Sequence, residues 1–145
     1  MPETLSPEIV EAILESIPVE ITFVDKDDTV RFFNKGAKRI FPRPAGVIGR
    51  KVQNCHPKKS LDAVNRILEE FRSGTRNEAA FWIDMHPRSG GKYGSESGAA
   101  EGKRKILIRY FPVRSKDGEY LGCIEATQDI TDIQKIEGEK RLLEE

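Results

Sequence analysis

Apolar side chains recur along this chain in two rhythms, and the changes between them mark its elements. Ile9, Ile13, Leu14 and Ile17 share one stripe of a helical wheel, with Ser6 and Pro7 in the cap and first helical positions; this predicts a helix to about Ser16, ended by Pro18. Glu20 to Val24 then alternates with period two, Asp25-Lys26-Asp27-Asp28 turns the chain, and Thr29 to Phe33 returns as the second arm of a hairpin. From Asn34 to Cys55 neither rhythm survives. Pro42, Pro44, Gly46 and Gly49 permit only single turns, such as Lys35 to Ile40, and segments of this kind often wall a pocket. Ser60 is expected to cap a longer helix with Leu61, Val64, Leu68 and Phe71 on one face and a glycine stop at Gly74. Ala79 to Met85, Lys105 to Arg114 and Glu119 to Gln128 read as three further strands, the last two joined by a Lys116-Asp117-Gly118 turn. Thr131 and Gln134 have the capping-box spacing, so a closing helix is expected as the sheet ends. Beyond it, Ile133, Ile136 and Leu143, with Lys140 at the intervening core position, outline a short coiled-coil seam, which Gly138 weakens by about 1 kcal/mol relative to Ala. Five antiparallel strands with a short helical wall make an α+β sandwich.

Between the third and fourth strands the pattern dissolves. Residues 86–103 carry Gly90, Gly91, Gly94, Gly98 and Gly102 with Ser89, Ser95 and Ser97, and few of them can repay the entropy of ordering, so a mobile insertion is expected. No Gly-Lys-Ser/Thr ending makes it a phosphate cradle. Composition narrows the class further. A chain of 145 residues suits one domain, and 24 basic against 24 acidic side chains leave no global field for nucleic acid or an anionic membrane. No apolar run reaches a bilayer span, and Met1-Pro2-Glu3 opens no basic and apolar leader, so a cytoplasmic protein is expected. Cys55 and Cys123 lie far apart in unlike segments, which favours reduced thiols over a disulfide or a metal knuckle.

The order of elements, β-β-α-α-α-β-β-β followed by a helix, resembles the PAS domain, a sensory fold with a five-stranded antiparallel sheet, over roughly Pro18 to Thr131. Its carriers are Asp25, Asn34, Gly49, Pro112-Val113-Arg114 with Asp117-Gly118, Gly122 and the closing Asp129-Ile130-Thr131. More narrowly, Gly49-Arg50-Lys51-Val52-Gln53-Asn54-Cys55-His56-Pro57 and Lys58-Lys59-Ser60 resemble the C-terminal PAS domain of prokaryotic proteins that also carry hemerythrin-like domains. The resemblance implies an amphipathic helix over 1–18, a PAS domain over 19–131 and a C-terminal output helix over 132–145. It implies a sensory module that binds a small ligand in an internal cavity and signals through its C-terminal helix or a dimer interface. A ligand-free interaction and dimerisation module is the alternative.

Strand alternation anchored on Pro112 and Asp129 points Ile106, Ile108 and Tyr110 inward, together with Leu121, Cys123, Glu125 and Thr127, and Cys55 and His56 join them from the irregular wall. Glu125 is the odd member of this set, because a buried carboxylate needs a partner: either a nearby Arg, Lys or backbone group, or a polar ligand held with Tyr110 and Thr127. Leu107, Arg109 and Phe111, with Tyr120, Ile124 and Ala126, fall on the outer face, which the N-terminal helix of the same chain or of a second copy is expected to cover in a homodimer. Flavin-binding photosensory members carry Gly-Arg-Asn-Cys-Arg-Phe-Leu-Gln; here Lys51-Val52 follows Gly49-Arg50, Cys55 falls three positions late, and Thr127 stands where a Gln is expected, so flavin is disfavoured. Haem-binding members use a histidine near the pocket helix, and His56 is the candidate axial ligand there; its other reading is a loop residue bonded to backbone. His86 reads as solvated. No catalytic triad or metal cluster assembles by motif, and adjacent Cys55 and His56 rarely act on one substrate, so an enzyme is not expected.

Overall fold

The structure, a computed structural model, describes residues 4–87, 93–94 and 102–143. Helix α1 spans Pro7–Ser16, with the Ser6 hydroxyl accepting the Ile9 amide at 3.2 Å and Pro7 in the first turn. Strands β1 (Glu20–Asp25) and β2 (Val30–Phe33) form the first hairpin. Four single 3-10 turns follow between Gly36 and Ser60, as the broken pattern predicts. This irregular stretch is pinned along β2, where Val30 donates to the Arg50 carbonyl at 2.9 Å and Gly49 donates to the Val30 carbonyl at 2.8 Å. Helix α2 (Leu61–Ser73) carries Leu68 and Phe71 into the core and ends at Gly74 in the left-handed region, φ 81°. Ser60 occupies its N-cap position, but the side chain makes no capping hydrogen bond, because Ser60 is itself the end of a 3-10 turn.

Strands β3 (Ala79–Pro87), β4 (Tyr93–Gly94), β5 (Arg104–Arg114) and β6 (Tyr120–Asp129) complete an antiparallel sheet in the order β2-β1-β6-β5-β3-β4. Its five long strands are the expected PAS-like sheet; β4 is a two-residue addition that pairs Tyr93 with Pro87 and Gly94 with His86. His86 and Pro87 therefore belong to the end of β3 and not to a solvated insertion, and the rest of the expected mobile segment, 88–92 and 95–101, lies outside the described residues.

Two expectations fail for identifiable reasons. The closing helix is a single 3-10 turn, Ile133–Lys135, and no α-helix follows it among the described residues. Thr131 does not cap it, because its hydroxyl accepts the Lys105 amide at 2.7 Å and donates to Asp129 Oδ1 at 2.7 Å, tying the end of β6 back to β5. Leu121 faces outward, 39% exposed, while Tyr120 packs on the inner core. The cause is an irregularity between Val113 and Arg114, which pair with Gly122 and Tyr120 and leave Leu121 as the extra residue of a bulge. Gly122 (φ 144°) makes the bulge possible, since a Cβ there would stand 2.1 Å from the Val24 carbonyl oxygen.

Helix α1 does not lay its whole stripe on the sheet. Val10 and Leu14 turn toward Phe32 of β2, while Ile9 and Ile13 are 44% and 47% exposed. On the outward side of β3, Trp82 is 64% exposed.

Candidate functional site

A cavity of about 370 Å³ lies between the inner face of the sheet and the 43–68 segment. The period-two alternation of β1, β5 and β6 supplies its floor: Val24 from β1, Tyr110 from β5, and Cys123 and Glu125 from β6. Val47, Cys55 and His56 come from the single turns, and Val64, Ile67 and Leu68 from the inward stripe of α2. Phe81 of β3 closes one side by stacking on Tyr110, with ring centroids 6.2 Å apart. The lining is therefore mainly apolar, with polar groups at a few points, the composition typical of small-molecule sites.

Of the nine residues expected to face inward, Leu121 turns outward, and Tyr110, Cys123, Glu125, Cys55 and His56 line the cavity. Ile106, Ile108 and Thr127 share the inner face but not the cavity. Ile106 and Ile108 pack with Met85 beneath Ile40 and Phe41 in a second core cluster, and Thr127 sits opposite Glu20 of β1, 1% exposed. Alternation fixes which face a side chain occupies but not how far along the strand the space above it stays open.

Arg43 answers the buried Glu125: its Nη2 donates to Glu125 Oε1 at 3.0 Å, with both side chains largely withdrawn from solvent. Sequence reasoning left this cation unnamed. Its signal is the bracket Pro42-Arg43-Pro44, which stiffens the backbone on both sides of a single charged side chain. A second buried pair lies behind the first. Arg39 and Glu20 approach to 3.7 Å, and Arg39 also donates to the carbonyls of Phe41 and Asn34 at 3.0 Å and to the hydroxyl of Thr22, a cavity residue, at 3.2 Å. Glu20 accepts the amide of Ile40.

Burial dominates the titration of these groups. It raises the Glu20 carboxyl above the usual carboxylate range despite the Ile40 amide and the Arg39 charge, and it lowers the Arg39 guanidinium. Burial raises the Tyr110 phenol, reinforced by the charge of Glu125 and a hydrogen bond to it. The Cys123 thiol is pushed up to about 12 by burial and then by Glu125, so it stays protonated and inert. His56 is lowered by burial, with Glu125 opposing and Arg43 assisting, which leaves a neutral imidazole at neutral pH. Cys55 Sγ lies 3.8 Å from the Lys51 carbonyl, and both cysteines are free thiols. No group of metal-ligating side chains occurs among the described residues. No helix among them is long and apolar enough to cross a membrane.

The sequence profile of the PAS domain family matches residues 10–131. Among solved structures, the C-terminal domain of a protein from Streptococcus mutans is 32% identical over 92% of this chain and 91% of its own, with a TM-score of 0.73. The PAS domain of BvgS from Bordetella pertussis is 15% identical over 86% of this chain and 85% of its own, with a TM-score of 0.57. The ligand- and DNA-bound VqmA of Vibrio cholerae is 20% identical over 90% of this chain but 54% of its own, with a TM-score of 0.52. No curated protein sequence matches the chain.

Proposed function

Because the chain belongs to the PAS domain family, a family of sensory and signalling modules, we propose that it binds a small organic molecule in the cavity beneath α2 and transmits occupancy through a dimer interface built on α1 and the outer sheet face. The observation that carries this reading is the cavity of about 370 Å³, apolar over most of its lining and provided with a buried Arg43–Glu125 pair. A buried ion pair contributes little net stability compared with well-packed apolar side chains. Its place against an open space suits recognition. VqmA, which has a similar fold, is known in a ligand complex, and this supports a ligand here.

A dimer is favoured by the exposure of Ile9, Ile13 and Trp82, which a second copy would cover. Signalling through a C-terminal helix loses its support, since only one 3-10 turn follows the sheet among the described residues.

Haem fits these residues less well. His56 lines the cavity and is neutral, as an axial ligand must be. However, Glu125 and Arg43 both act on His56, so a porphyrin ligated there would press an apolar ring on a buried ion pair.

The test is extraction of the purified protein followed by mass spectrometry, compared with Ala63→Phe, which fills the cavity from α2. A compound recovered from the native protein and lost from the folded variant supports the reading. Recovery of the same compound from both would place it elsewhere, and a native protein that yields none and shifts its Tm with no member of a fragment library would end the ligand reading.

A further inference from the structure

Strand β3 has an edge that the described residues leave open. The Lys105 carbonyl accepts the Ile130 amide at 2.9 Å, so the odd-numbered residues of β5 bond toward β6 and the even-numbered ones toward β3. Ile106, Ile108 and Tyr110 therefore meet Ile83, Phe81 and Ala79, and the backbone N–H and C=O groups of Ala80, Trp82 and Asp84 point away from β5. β4 agrees with this phase, since it meets the strand on that same side at His86, but it pairs only with His86 and Pro87. No other described residue bonds the backbone of Ala80, Trp82 or Asp84. The stretches joining Pro87 to Tyr93 and Gly94 to Gly102 begin and end near the Met85 end of β3. At about 3.5 Å per residue, neither is long enough to reach Trp82 and return.

Proteins blunt a free strand edge with lysine, proline, a bulge or short length. Ala79 to Ile83 uses none of these: five uncharged apolar residues run in unbroken register with β5, and both Phe81 and Trp82 are exposed. A row of unpaired backbone groups set among apolar side chains is completed by an added extended strand. Charge decides whose strand fits. Asp84 is paired with Lys103 and Lys105, whereas Glu78, exposed at the other end of the edge, has no counter-ion among the described residues. A second copy fits poorly, because the antiparallel register that matches all five apolar residues is centred on Phe81 and sets Glu78 opposite Asp84 of the other copy. Like charges directly opposite each other destabilise a strand pair.

We propose that the free edge of β3 docks an extended segment of a partner protein. The segment adds antiparallel beside Ala80 to Asp84, presents apolar side chains to Phe81 and Trp82, and places a lysine or arginine opposite Glu78. This surface is separate from α1, which lies against β2 at the other side of the sheet.

The probe is the synthetic peptide acetyl-Thr-Thr-Val-Ile-Val-Thr-Lys-amide, whose lysine falls opposite Glu78 when its first residue stands opposite Asp84. Titrated into the full chain and followed by NMR, it is expected to shift the amides of Ala80, Trp82 and Asp84 and to slow their hydrogen exchange. The amides of Ala79, Phe81 and Ile83, already bonded to β5, should exchange as before. N-methylation of both valines, which removes the pairing N–H groups, is expected to abolish these changes. Glutamate in place of the peptide's lysine should weaken binding about threefold, the scale of an exposed ion pair, and Glu78→Lys should reverse that preference. No change in the three edge amides at about 1 mM peptide overturns the proposal, and so does binding that survives N-methylation. Equal binding of the lysine and glutamate peptides overturns the basic partner. In the protein alone the three amides should exchange rapidly at every concentration; protection that grows with protein concentration would make a second copy the occupant and overturn the partner segment.

Discussion

Asn34 reaches from the end of β2 to the last turn of α1, where its Nδ2 donates to the Leu14 carbonyl at 2.7 Å. The same amide donates to the Val19 carbonyl at 3.0 Å, and its Oδ1 accepts the Ile21 amide at 2.7 Å. Fully buried, this one side chain joins helix, linker and first strand. Asn34→Ala removes these three bonds, together with a longer one from Arg39 Nη1 to Oδ1 at 3.4 Å, and strands their partners, so a loss of about 2–4 kcal/mol in unfolding free energy is expected, with faster hydrogen exchange throughout α1. A loss below about 0.5 kcal/mol, the scale of ordinary surface substitutions, would show that α1 is held by other contacts.

Glu20 gives stability a pH dependence of definite sign. Its carboxyl is raised in the folded protein, chiefly by burial, so just above the ordinary carboxylate range the folded state keeps a proton that the unfolded state has released. Stability contributed by this group is therefore complete below the unfolded pKa, falls as pH rises through the folded one, and is flat beyond it. Glu20→Gln keeps an oxygen for the Ile40 amide and is expected to remove that downward step from urea-unfolding free energies measured across mildly acidic pH. An unchanged step in the variant would assign it to another group.

Gly122 is expected to tolerate no side chain. At φ 144° it lies in a region that favours glycine, and an added methyl would sit 2.1 Å from the Val24 oxygen and 2.9 Å from Asp25 Cα, both backbone atoms that cannot step aside. Gly122→Ala should cost at least about 2 kcal/mol by thermal or chemical denaturation, whereas Gly118→Ala, at φ 86° with open space around it, should cost about 1 kcal/mol. Equal costs would mean that the bulge opens to admit the methyl.

The association state tests the proposed interface. Ile13→Asp, on the exposed side of α1, is expected to convert a dimer into a monomer in sedimentation without altering the circular dichroism spectrum. A native protein that sediments as a monomer at about 100 μM, the weak end of specific association, would remove the dimer from the mechanism.

Much of this arrangement is legible in the chain because its signals are local. The Ser6-Pro7 start of α1, the Gly74 stop of α2 and the Asp117-Gly118 turn each depend on neighbouring residues and form where their chemistry predicts. What escapes is decided across the fold. Thr131 has the right spacing to cap a helix, yet a strand edge 26 residues away claims its hydroxyl. Leu121 obeys alternation until a bulge, set by the close approach of Gly122 to β1, shifts the phase by one residue. Glu125 announces the need for a counter-charge, but Arg43, 82 residues away, is adjacent only once the irregular segment has wrapped over the sheet. Ile106, Ile108 and Thr127 show the same limit, since Ile40 and Phe41 decide which end of the inner face is filled.

The prolines on either side of Arg43 carry a last consequence. Pro44 sits at φ −69°, and a ring on each flank leaves the intervening backbone few alternatives even before folding begins. The backbone beneath the guanidinium therefore has little freedom left to lose if the proposed cavity takes a guest. The affinity of any such guest should then follow the quality of its fit, with only a small entropic toll for immobilising its host.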